Sequence, residues 1–153
     1  MPLLSMLAAA TASPSHNGMI VLFPAAFAAL WYFVSTVLSH MGGWHRLAQR
    51  FRAVRPPAGR RFWMQSMVLG SVSYNGCLTM HASKEGLHLA VWLPFRIAHP
   101  PLFLPWSEFR NAILRRSLWV KWIELDIGEP PVAKLRLPLK VLQGREHLIG
   151  LEG

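Results

Sequence analysis

Twenty consecutive uncharged residues, Met19 to Leu38 (MIVLFPAAFAALWYFVSTVL), constrain this chain more than anything else in it. At about 1.5 Å per residue, a helix of that length reaches roughly 30 Å, the thickness of bilayer hydrocarbon. Ten of the twenty are Leu, Ile, Val or Phe, which together favour insertion by about 3–6 kcal/mol. Ser35 and Thr36 can bond back to the helix backbone, so lipid tolerates them, and Pro24 in the second turn is a candidate kink. A cleaved signal peptide would need a basic leader, a shorter apolar run and a small-residue exit. Here no Lys or Arg precedes the run, and Ser39-His40-Met41-Gly42 makes a poor exit. A buried core helix would carry a polar stripe, and this run has none. A transmembrane helix over 19–41 is therefore expected.

The charges give that helix a direction. Residues 1–83 hold six arginines (Arg46, Arg50, Arg52, Arg55, Arg60, Arg61) and no other charged side chain, and residues 84–153 hold ten basic and seven acidic ones. All six arginines follow the span within 23 residues. The positive-inside rule then puts residues 1–18 outside as a short tail and the C-terminal side in the cytoplasm, at a cell (inner) membrane. Leu3, Leu4, Met6 and Leu7 of that tail could touch the bilayer.

After Gly42-Gly43, residues Trp44, Leu47, Ala48 and Phe51 recur on one helical face, with Arg46, Arg50 and Arg52 around the rest. Such a helix suits a membrane surface. Residues 42–61 are read as a basic juxtamembrane linker with an interfacial helix. Trp44, Leu47 and Phe51 would lie among head groups, and Arg46, Arg50, Arg52 and Arg55 would reach anionic lipid at about 1 kcal/mol each. The bland alternative is that these arginines only set topology. Nucleic acid is not expected as a partner: the patch abuts a bilayer, and the residues that follow carry no DNA- or RNA-binding motif.

From Phe62 the hydrophobic period changes to two. Strands are expected over 67–71, 77–82, 87–93, 102–104, 109–116, 119–127 and 132–137. Tyr74-Asn75-Gly76 is read as a hairpin turn, Ser83-Lys84-Glu85-Gly86 as a second turn, and 95–101 as a loop. Ile123, Leu125 and Ile127 share one face of their strand, and Glu124 and Asp126 share the other. A single amphipathic helix is expected over 139–149, weakened by Gly144. The fold class is thus α+β: one N-terminal transmembrane helix, then over 62–153 a mainly antiparallel, barrel-like sheet with a C-terminal helix covering one open end.

That element order resembles the pleckstrin-homology-like (PH-like) superfold over residues 62–150. The stretch Phe95 to Glu108 (FRIAHPPLFLPWSE) is similar to a segment of small, uncharacterised bacterial single-span membrane proteins. The resemblance brings no catalytic residue. It brings no phosphoinositide site either, because residues 62–83 lack the Lys and Arg that such members carry around the first hairpin.

Chemistry elsewhere is sparse. One cysteine excludes an internal disulfide and an all-thiolate zinc site. Cys77 and His81 share a strand face but stand about 13 Å apart, too far for one ion. His81 and His88 can face each other across the Ser83–Gly86 turn, yet two histidines without a third ligand make a weak metal site. His99, before two prolines, is expected to anchor its loop by hydrogen bonding. Ser107-Glu108 has no base partner, and no nucleotide or metalloprotease motif occurs. No enzyme, cofactor or metal is expected. The expected function is a membrane-anchored module whose domain binds a protein partner or lipid head groups. The alternative is an accessory subunit of a membrane complex that associates through its span, where Ala25, Ala26, Ala28 and Ala29 permit close helix approach.

Overall fold

The computed structural model describes residues 16–151. Most of the tail expected over 1–18, including its four apolar residues, lies outside them. The described chain divides after Val34 into two compact units. The first is helical throughout, being most of helix α1 (His16–Gly42), which runs through Pro24 unbroken. Ile20, Leu22, Phe23, Leu30 and Phe33 all project outward from it, each at least 60 % exposed. Asn17–Gly42 is long and apolar enough to cross a membrane.

The second unit holds the end of α1, a short helix α2 (Trp44–Phe51) and seven strands: β1 (Arg60–Leu69), β2 (Val72–Ala82), β3 (Gly86–Val91), β4 (Leu102–Pro105), β5 (Phe109–Arg116), β6 (Lys121–Ile127) and β7 (Ala133–Pro138). A last helix, α3, spans Leu139–Leu142. All strand pairs are antiparallel, in the order β4-β3-β2-β1-β7-β6-β5. Only Val68 and Leu69 of β1 pair with β7. That narrow join lets the sheet curl into a half-barrel around one core, consistent with the expected α+β class.

The alternation read from sequence explains that core. Ile123, Leu125 and Ile127 point inward and are no more than 3 % exposed, facing Leu135 and Leu137 of β7. On the outer face, Glu124 bonds Arg136 and lies near Arg115, while Asp126 accepts from Asn111. These two carboxylates are thus held by neighbouring side chains on a partly solvated surface, as their alternation implied.

Two expected elements form differently. The first hairpin turns at Gly70-Ser71, where Leu69 pairs with Val72. Asn75-Gly76 sits inside β2. Gly70 takes φ +57°, which suits a two-residue turn, and a Cβ there would stand 2.8 Å from the Gly42 carbonyl oxygen. Gly-Ser is a hairpin signal as well, and it wins because it returns the chain in register for the core. Gly76 keeps its positive φ but spends it on a bulge: Met67 pairs with Tyr74 and Gln65 with Leu78, leaving extra residues on β2, and the Gly76 N–H donates to the Ser66 hydroxyl. The C-terminal helix, expected over 139–149, ends at Leu142. Gly144 turns left-handed, and a 3-10 turn over Glu146–Ile149 carries Ile149 back into the core.

Candidate functional site

Helix α2 forms where its periodicity placed it, but its apolar face is not free for lipid. Trp44 and Leu47 are fully buried and Phe51 is 9 % exposed, all within the core of the half-barrel. The Trp44 indole N–H donates to the Pro100 carbonyl over 2.9 Å. Its ring packs against Tyr74 and His99, with centroids 5.4 and 5.3 Å away. His99 is fixed in turn. Its Nδ1 donates to the Phe95 carbonyl, which leaves Nε2 to accept from the Tyr74 hydroxyl at 3.0 Å. Burial holds this imidazole neutral by lowering its pKa, and burial raises that of the Tyr74 phenol. His99 therefore anchors its loop as expected.

The placement of Trp44, Leu47 and Phe51 among head groups is corrected by this packing. An amphipathic period shows that one face seeks an apolar neighbour, and the sheet supplies one before lipid can. The cations lie on the opposite side. Arg46, Arg50, Arg52 and Arg55 are exposed. Arg50 stands 3.6 Å from Glu108 and lies over the Phe51 ring. Arg46, Arg52 and Arg55 have no carboxylate at ion-pair distance among the described residues.

A second constellation lies on the outer face of β1, β2 and β3. His81 pairs with His88 in register across the second hairpin, their rings edge to face at 5.5 Å between centroids. The turn that aligns them is tied by Ser83, whose hydroxyl donates to the Gly86 carbonyl and accepts from the Gly86 N–H. Both histidines are buried, His88 to 2 % exposure. His81 Nδ1 and both ring nitrogens of His88 have no hydrogen-bond partner among the described residues. Each such orphan costs about 1–3 kcal/mol unless something satisfies it. Burial, with His81 and Arg96 nearby, pushes the His88 pKa down to about 4, and burial with Arg61 lowers that of His81. At neutral pH both imidazoles are uncharged, each offering one donor and one acceptor.

These histidines line a groove of about 520 Å³. Its walls include Trp63, Trp92, Leu93 and Pro94, and Arg61 and Arg96 are its only charged lining residues among those described. Trp92 and Leu93, expected as the end of a strand over 87–93, instead lead into a 3-10 segment over Leu93–Ala98 that also takes up the first part of the loop expected over 95–101. The Arg61 guanidinium carbon lies over the Trp63 indole, 3.4 Å from its centroid. The sequence suggested the His81–His88 pairing but not the groove. The one available signal was outward-facing Trp63 and Trp92 beside strands that bury both faces.

No group of three or more His, Cys, Asp or Glu that could hold a metal occurs among the described residues. Cys77 is half-buried, and burial raises its thiol pKa, the opposite of an activated nucleophile. Glu108 is engaged by Arg50. The arrangement can bind and orient a polar group against an apolar wall, but it presents no paired nucleophile and base. The chain matches no protein-family model, no curated protein and no solved structure.

Proposed function

We propose that this chain is a non-enzymatic, membrane-anchored module that presents a PH-like domain at the cytoplasmic face of the inner membrane, for binding a protein partner or lipid head groups. The observation that carries the reading is the junction. Gly43 alone separates the apolar helix α1 from the basic helix α2, and α2 is built into the domain through Trp44, Leu47 and Phe51. The last turns of α1 belong to the same compact unit as α2 and the sheet, and a domain continuous with a membrane-spanning helix works at the bilayer surface. The antiparallel strand order and the short C-terminal helix support the PH-like assignment. The charge asymmetry supports the orientation, with the N-terminus outside.

Head-group contact falls to the exposed Arg46, Arg52 and Arg55, at up to about 3 kcal/mol together. The full chain is reconstituted in zwitterionic and in anionic nanodiscs, and amide exchange is followed along α2. Anionic lipid is expected to protect this segment, more weakly at high salt because exposed charges are screened beyond about 10 Å at 0.1 M. Arg46→Gln, Arg52→Gln and Arg55→Gln together should abolish the difference. Equal exchange in both discs would leave these arginines as topology determinants. Reporters fused at the two termini test the orientation, and the opposite pattern of activity would overturn it.

A further inference from the structure

The outer face of β1–β3 carries a groove that head-group contact through α2 does not use. Its floor holds His88, almost fully buried with both ring nitrogens unpartnered among the described residues, beside His81 with one. Its volume of about 520 Å³ falls within the range of about 300–1,000 Å³ common for small-molecule sites. Two tryptophans, Trp63 and Trp92, stand in its walls, each more than half exposed. Its charge is of one sign, because Arg61 and Arg96 line it and no carboxylate does. Neither arginine has an ion-pair partner among the described residues. The Arg61 guanidinium carbon lies over the Trp63 ring, and a cation–π contact of that kind engages the guanidinium without using up its N–H donors.

We propose that this groove binds an anionic single-chain amphiphile, a carboxylate on an aliphatic chain, with the head group received by His88, Arg61 and Arg96 and the chain laid against Trp63 and Trp92. Each half of the ligand answers one half of the site. An inorganic anion would leave the indoles and prolines wetted, and a neutral hydrocarbon would leave the imidazoles and guanidinia unpaired. An extended peptide cannot add a strand beside His81 or His88, because β2 is paired on both sides, by β1 and β3, and β3 by β2 and β4. The assignment goes beyond the surface-module reading and depends on neither its orientation nor its lipid contact.

The full chain, in zwitterionic nanodiscs with ¹⁵N-labelled histidine, is titrated with decanoate at pH 7. Empty discs in parallel fix the free concentration, and His81→Gln and His88→Gln assign the two imidazoles. Decanoate is expected to shift both signals saturably. Decanol and acetate should each bind at least about tenfold more weakly, since a charge-assisted hydrogen bond or the chain is missing. Arg61→Gln with Arg96→Gln should weaken decanoate by about tenfold or more, and the corresponding Lys pair should recover most of it. Both arginines are exposed, so neither change threatens the fold. Unmoved His81 and His88 signals would overturn the proposal. So would equal binding of decanol and decanoate that ignores the arginine changes. Signals that move only when diacyl anionic lipid is built into the disc would overturn it in favour of a membrane head group.

Discussion

Acidification should unfold this protein through His88, and replacing that residue should remove much of the effect. The side chain is 2 % exposed and its pKa is pushed down to about 4 from the ordinary 6.5. The unfolded chain therefore takes up a proton at higher pH than the folded one. Stability is full above about 6.5 and is lost progressively as pH falls towards 4. At about 1.4 kcal/mol per pH unit, that interval corresponds to about 3 kcal/mol from His88 alone. His81 and His99 are shifted in the same direction and add to the loss. His88→Leu removes the titrating group and its two unsatisfied nitrogens while roughly conserving volume. Urea unfolding of wild type and variant in zwitterionic nanodiscs, followed by near-ultraviolet circular dichroism between pH 7.5 and 4, measures the difference. The variant should match or exceed wild type at pH 7.5, then lose about 3 kcal/mol less by pH 4. Parallel curves would refute the argument, because His88 would then titrate alike in both states.

Further outcomes follow from burial. Trp44→Ala should cost about 3–5 kcal/mol in the same assay, since a fully buried indole leaves the core and the Pro100 carbonyl loses its donor. Trp119→Ser, at a side chain 94 % exposed, should change stability by no more than about 0.5 kcal/mol; comparable losses would mean that α2 is not seated in the core. Ile123→Asp should abolish the cooperative melt by placing a carboxylate on the buried face of β6, while Glu124→Ala on the outer face leaves it largely intact. A fragment beginning at Gly42 should melt well above one beginning at Phe62, because the shorter piece lacks Trp44, Leu47 and Phe51. Equal melting temperatures would contradict their place in the core.

Legibility tracked locality. β5 runs over the residues its alternation indicated, and β6 and β7 fall within two residues of expectation. Each is a period-two run bounded by turn residues. The first hairpin was misplaced because both Gly70-Ser71 and Asn75-Gly76 are turn-competent, and only pairing across to Leu78 and on to β7 selects the former. The arginines of α2 were placed on the correct helical face, but the partner of the opposite face was not. The groove was missed because Trp63, His88 and Trp92 come from separate elements.

The sequence alone determined the apolar helix, because insertion and helix formation depend on a contiguous run and on hydrogen bonds four residues apart. It also determined the inward face of β6, where alternation allows one solution. Only the tertiary structure decided that Trp44, Leu47 and Phe51 face the sheet. The same holds for Asn75-Gly76 becoming a bulge, and for the two buried imidazoles sharing a groove with two guanidinia that have no ion-pair partner among the described residues. Those outcomes turn on what stands opposite each residue, often thirty or more positions away in the chain, and hydrophobic periodicity records that a face must be covered without recording by what.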